Sequence, residues 1–213
     1  MKSPAQSDLD LFVKIWTFFA QRYKDYPAAL CFELFNEPHD MSNATWDELQ
    51  MRTYNAIRAI DEDRIIFLSP NAYNDPSTFD AMTLPYDDDA VAIDVHDYTP
   101  HEFTHQGYDG RATGIAYTHK VYEQFIAQID KTVENRQSTG LPHIIGEFGV
   151  IKNAVVVDAV AFLCDVTTYM EQHDFAWTMW EFGGLKDAYF SFDGWHEVLM
   201  EAIMTDEYLK YYK

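Results

Sequence analysis

The chain has 213 residues, enough for one domain with a sizeable core, and at 47% hydrophobic and 16% aromatic it is globular and rich in rings. Its 35 acidic residues against 15 basic ones give a formal charge of −20, which rules against nucleic acid and anionic membrane as partners and suits either a neutral polymer or simple solubility. No apolar run approaches the ~20 residues of a membrane span. Met1 to Ser7 lacks the apolar stretch of a leader, so the expectation is a protein that stays inside the cell or one whose leader has been removed.

In chain order, residues 9–23 carry Leu9, Phe12, Val13, Trp16, Phe19 and Ala20 at helical spacing, behind an Asp8 able to cap the first turn. Residues 30–35 read as the first strand. Residues 45–60 read as a second helix, with Leu49, Tyr54, Ile57 and Ile60 inward, and 64–68 as a second strand closed by Ser69-Pro70-Asn71. A third strand, 90–96, follows the acidic loop Asp87-Asp88-Asp89. A long helix over 117–137 ends at Ser138-Thr139-Gly140, and the fourth strand covers 143–146. Helix 158–173, strand 176–180 and a closing helix 195–204 follow. Strands alternating with helices at this spacing specify a parallel sheet with right-handed crossovers. No repeat or linker divides the chain, so a single α/β domain over 1–213 is expected. Cys31, in a predicted strand, and Cys164, in a predicted helix, are expected to be buried free thiols.

Two segments carry the chemistry. Cys31-Phe32-Glu33-Leu34-Phe35-Asn36-Glu37-Pro38 and His143-Ile144-Ile145-Gly146-Glu147-Phe148-Gly149 are short apolar runs that each end in a glutamate. Buried parallel strands read this way, and α/β enzymes place their chemistry at the C-terminal ends of such strands. Glu37 reads as a proton donor to a leaving oxygen, with Asn36 bonding a substrate hydroxyl and Pro38 turning the chain out of the strand. Glu147, set among glycines, reads as a nucleophile with an uncrowded backbone. The plain alternative for both is a solvent-facing residue at a strand exit.

After the third strand, His96 and Tyr98 could orient a carboxylate. A metal set of His96, His101 and His105 is disfavoured, because Pro100 and the irregular stretch between deny them a helical face and no cysteine or acidic cluster completes the shell. Trp177 and Trp180 have opposite parity on the fifth strand, so one faces the core and Trp180, at the strand end, becomes the sugar platform. Trp46, Tyr73, Trp195 and Phe103-Thr104-His105-Gln106-Gly107 are further candidates for sugar subsites.

Taken together these residues resemble glycoside hydrolase family 5, the cellulase-like (β/α)8 barrels. Lys24-Asp25-Tyr26-Pro27, Ile57-Arg58-Ala59-Ile60-Asp61, Arg64-Ile65-Ile66 and Trp180-Glu181-Phe182 add family-like motifs, in family order, to those already quoted. The resemblance implies an α/β fold, a partial TIM-type (β/α) barrel of about five parallel strands. It maps Glu37 to the acid/base, Glu147 to the nucleophile, Asn36 to its companion, and His96, Tyr98 and Trp180 to substrate binding. It implies a retaining β-glycosidase acting on a β-1,4-glucan or related β-glucan or mannan, without cofactor or metal, its carboxylates ~5 Å apart.

The same resemblance marks departures. Three strands that precede the acid/base strand in the family have no counterpart ahead of Leu9, and with them go a supporting arginine and histidine. Gly183-Gly184-Leu185-Lys186-Asp187 departs from the family's usual Gly-Phe-Gly. Open sheet edges and uncovered apolar surface imply self-association, as a two-fold dimer that covers the open side of the barrel. The alternatives are a weak or inactive sugar-binding partial barrel, or a fragment needing a separate N-terminal half.

Overall fold

Every element predicted within residues 4–180, the span described by the computed structural model, is present with shifted bounds. They run α1 (Gln6–Tyr23), β1 (Phe32–Glu33), α2 (Asn43–Arg58), β2 (Ile66–Leu68), a single turn α3 (Asn71–Asn74), β3 (Val91–His96), a single turn α4 (His101–Thr104), α5 (His119–Thr139), β4 (His143–Phe148), α6 (Val156–Gln172) and β5 (Ala176–Met179). The strands form one sheet in chain order, β1-β2-β3-β4-β5. The expected closing helix 195–204 and the loop 183–187 lie outside the described residues. Contacts divide the chain into two units, Met1–His96 with Glu134–Ile144, and Asp97–Val133 with the described residues from Ile145 onward.

In the first unit, α1 begins at Gln6 with Ala5 at the cap and no side-chain capping bond. Asp8 therefore sits inside the first turn, where its charge favours the helix dipole, rather than capping it as expected. The predicted face turns inward: Trp16 Nε1 donates to Leu34 O at 3.0 Å and its ring lies 5.3 Å from Phe32. Leu11, Ile15 and Phe18 form a second apolar stripe that is exposed. β1 is shorter than the apolar run suggests, so Cys31 precedes it and is only half-buried rather than a core thiol. The ladder is parallel, with Phe32 opposite Ile66 and Ile66 opposite Val91. All six residues of β3 are buried, as befits an inner parallel strand.

One cation organises the entry to β1. Buried Arg64 donates to the carbonyls of Tyr23, Lys24, Tyr26, Pro27 and Leu30, and to Asp61 Oδ2 at 3.0 Å. That links the motif around Lys24-Asp25-Tyr26-Pro27 to the one opening β2.

His143, at the start of β4, is buried, with Nδ1 2.8 Å from Leu141 O and Nε2 2.8 Å from Asn135 Oδ1. Burial pulls its pKa from an ordinary 6.5 to about 4, with nearby Arg136 acting in the same direction. The unfolded chain therefore binds a proton that the folded chain refuses, so this group's contribution is intact above pH 6.5 and lost as pH falls toward 4. The loss amounts to about 2 kcal/mol at pH 5. Urea midpoints of wild type and His143→Gln between pH 7.5 and 5 are expected to converge toward acid; parallel pH dependence in the two proteins would refute this.

In the second unit, Phe162 on α6 is enclosed by Phe103 at 5.3 Å and Phe125 of α5 at 5.5 Å. Val121, Phe125 and Ile129 repeat along the buried stripe of α5. Cys164 is a buried thiol outside any disulfide, as expected, and burial, with Asp165 nearby, pushes its pKa up to about 12. β5 lies beside β4: Thr178 Oγ1 donates to Gly146 O, and Trp180 N–H to Phe148 O at 2.9 Å.

Candidate functional site

In the first unit, Glu37 does not end the strand, as its sequence context implies; it stands four residues beyond Glu33 with φ +53. A left-handed L residue costs about 1–2 kcal/mol. The turn is held by its neighbours: the His39 Nδ1–H donates to Glu37 O at 2.6 Å, and the Tyr73 ring stacks on His39 with centroids 4.5 Å apart. Tyr73 N–H donates to Pro38 O at 3.1 Å. Asn36 is exposed beside Glu37. His96, the last residue of β3, brings Nδ1 to 3.1 Å from Glu37 Oε1, while its Nε2 lies 3.4 Å from Asp94 Oδ2. Glu33, Asp94 and His96 bring carboxylate and imidazole atoms within 4.8 Å of one another.

In the second unit, β4 runs on to Phe148, so Glu147 is its penultimate residue rather than the first residue past the strand. Its carbonyl accepts the Asp97 N–H at 2.9 Å, continuing the ladder that fixes its backbone. The Tyr98 hydroxyl donates to Glu147 Oε2 at 2.8 Å. Tyr98 is itself braced: Thr104 Oγ1 donates to its carbonyl at 2.5 Å and His105 lies edge-on, with ring centroids 5.2 Å apart. The ring of Trp177 packs edge-on against Phe148 at 5.6 Å, and Trp180 is 46% exposed.

Each predicted glutamate thus comes with a predicted partner, Glu37 with His96 and Glu147 with Tyr98. Two of the proposed sugar subsites are corrected. Trp46 is a core residue, its Nε1 donating to Ser69 O at 2.8 Å, because α2 turns that face onto the sheet. Phe103 is fully buried against Phe162, and Gln106 is a buried pin that bonds both the N–H and the carbonyl of Ile115. Gly107 is needed there: at φ +78 a Cβ would come within 2.6 Å of Asn153 Nδ2. Tyr73 is exposed and keeps a ring face available; Trp195 lies outside the described residues. His101 and His105 meet at a tilt of 40°, ring centroids 4.8 Å apart, in the cluster around Tyr98.

Sequence reasoning overlooked Asp94, Asn74 and the turn that holds them. The signal was present: an aspartate inside a run of buried strand residues, and an Asn/Pro-rich stretch behind β2.

A family model, Cellulase (glycosyl hydrolase family 5), matches residues 2–185. Endoglucanase C of Acetivibrio thermocellus is 27% identical over 202 residues, covering 80% of this chain and 59% of that protein. Endoglucanase 1 of Ruminococcus albus is 28% identical over 208 residues, covering 85% of this chain and 48% of that protein. The crystal structure of endoglucanase Cel5A from Thermotoga maritima superposes with a TM-score of 0.87 at 28% identity, covering 94% of this chain and 68% of that one. The fold class is therefore the expected one, α/β with five parallel strands of a TIM-type barrel. The chain spans less than two thirds of the length of the curated relatives it matches.

Proposed function

The chain belongs to glycosyl hydrolase family 5, the cellulase family, and from that premise we propose that it is a retaining β-glycosidase of endoglucanase type. Glu147 attacks the anomeric carbon and forms a glycosyl ester while Glu37 protonates the departing oxygen. Glu37 then takes a proton from the water that cleaves the ester, releasing Glu147 and a sugar of unchanged configuration. The observation that carries this reading is the Tyr98–Glu147 bond of 2.8 Å, which tethers one oxygen of a carboxylate on a rigid strand.

Asn36 bonds a substrate hydroxyl, and the exposed rings of Trp180 and Tyr73 offer flat faces to pyranose C–H surfaces. The substrate is a β-1,4-glucan or a related β-glucan or mannan: the relatives are endoglucanases, and Thermotoga maritima Cel5A has been crystallised with cellobiose and with mannotriose. The net charge of −20 is neutral toward such a polymer and repels polyanions. The reaction needs no cofactor. The experiment is release of reducing ends from soluble β-glucan and mannan, with proton NMR reading the anomer that forms first; the β anomer is expected, and an α product would rule out double displacement.

A sugar-binding protein without turnover, alone or pending a separate N-terminal half, is the second reading. It is favoured by the exposed rings of Trp180 and Tyr73, which offer sugar faces without requiring turnover. Two copies associate in either case, through the exposed stripe of Leu11, Ile15 and Phe18 on α1. Sedimentation velocity is expected to give a dimer that Phe18→Glu dissociates, and a wild-type monomer at tens of micromolar would dismiss it.

A further inference from the structure

We propose that Asp94, gripped by Asn74, is a positioning residue that holds His96 in its Nε2-protonated form and through it places the Glu37 carboxyl. The inference rests on the reading of Glu37 as the acid/base.

Asp94 is out of character for its place. It sits within β3, whose six residues are all buried, and a carboxylate there is unfavourable unless something compensates it. Its Oδ2 accepts from Asn74 Nδ2 at 3.2 Å and lies 3.4 Å from His96 Nε2, while its Oδ1 has no hydrogen-bond partner among the described residues. The imidazole is therefore the compensating group, and a carboxylate facing Nε2 requires the proton to be there. Glu33 of β1 brings a further carboxylate oxygen within 4.8 Å of this pair.

With Nε2 protonated, Nδ1 is left to Glu37, whose Oε1 is 3.1 Å away. When Glu37 carries its proton, its O–H donates to the bare Nδ1. When Glu37 has passed that proton to the leaving oxygen, its carboxylate stands beside the still bare Nδ1 until it takes a proton back, and no proton enters or leaves His96. The proton that Glu37 regains comes from the attacking water, so nothing is consumed at His96.

The turn behind Asp94 is a second, separate observation. Ala72, Tyr73 and Asn74 have φ of 57, 68 and 57, three consecutive L residues in the left-handed region. Such a conformation persists only where its surroundings over-determine it, and it clusters at functional sites. This turn grips both sides of one pair: Asn74 holds the carboxylate behind His96, and Tyr73 bonds Pro38 and stacks on His39 beside Glu37.

The test combines a spectrum with a leaving-group comparison. In ¹⁵N-labelled protein, the His96 ring, assigned through the signal lost in His96→Gln, is expected to show a pyrrole-type Nε2. A bare Nε2 with a protonated Nδ1 would overturn the proposal. Asp94→Asn, and Asn74→Gly, which removes the amide side chain but suits the left-handed backbone, are expected to lose about tenfold or more in kcat on a β-glucan oligosaccharide. On a dinitrophenyl glycoside, whose departure needs little proton assistance, the same variants should lose under about threefold. Equal losses on both substrates would mean a merely structural role and would also overturn it. Should wild type turn over neither substrate, the glycosidase reading fails, while the nitrogen spectra of wild type and Asp94→Asn still decide the state of His96.

Discussion

Glu147→Gln is expected to lower release of reducing sugar from soluble β-glucan by about 10³- to 10⁵-fold, while the folded state and its denaturant midpoint stay unchanged. The amide is nearly isosteric with the carboxylate, and its oxygen can still accept the Tyr98 hydroxyl that lies 2.8 Å from Oε2. Backbone placement is untouched, because it is set by the Asp97 N–H bond to the Glu147 carbonyl and by the ladder of β4. What disappears is the negative charge that, in the proposed mechanism, attacks the anomeric carbon, and no other step of double displacement can replace it. Tyr98→Phe keeps the nucleophile and removes its tether, so it should lose only about tenfold. Wild type and Glu147→Gln releasing sugar at equal rates would refute the mechanism. Both binding glucan with neither cleaving it would favour the sugar-binding reading.

Arg64→Met is expected to cost about 3–5 kcal/mol of folding stability, a large part of the whole for a domain of this size. The guanidinium is 2% exposed, and its N–H groups reach five backbone carbonyls between Tyr23 and Leu30 as well as Asp61. Methionine fills much of the volume but donates nothing. The carbonyls of Lys24, Tyr26 and Leu30 lose the guanidinium, those of Tyr23 and Pro27 keep only the turn N–H groups of Tyr26 and Leu30, and Asp61, 9% exposed, is left without its counter-charge. The face of Phe32, with the guanidinium carbon 5.4 Å from its centroid, loses a cation as well. The segment between α1 and β1 should loosen first, so hydrogen exchange at Tyr26 and Leu30 is expected to accelerate before the global transition in urea shifts. Asp61→Asn, which keeps an acceptor for Arg64, should lose less than half as much. A midpoint for Arg64→Met within experimental error of wild type would show that solvent satisfies these carbonyls.

The two predictions draw on different levels of legibility. Glu147 stands out in the sequence because a glutamate at the end of an apolar run contradicts its neighbours. Arg64 does not: an arginine before Ile65-Ile66 reads as a strand flank, and only the folded chain brings the carbonyls of residues 23–30 around it. Helix bounds were legible to within a few residues because Leu49, Tyr54 and Ile57, or Val121, Phe125 and Ile129, repeat at the helical period. Strand bounds were less so. The run 30–35 is apolar throughout but only Phe32–Glu33 pairs, and the glycine and glutamate at 146–147 looked like an exit although β4 runs on to Phe148. Apolarity marks what is buried, whereas a strand is defined by the partner that accepts its hydrogen bonds.

By itself the sequence determined the alternation of strands and helices, the two strands that deliver glutamates, and the family those motifs resemble. These are properties of order and periodicity along one chain. Only tertiary structure decided that Trp46 belongs to the core, that Glu37 sits in a left-handed turn, and that Asp94 stands behind His96 with Asn74 holding it. Each depends on residues 20 or more positions apart meeting at hydrogen-bond distance, as Trp46 meets Ser69 and Asn74 meets Asp94. Periodicity tells a side chain which face of its own element it occupies; what waits on the other side is set by how the elements pack.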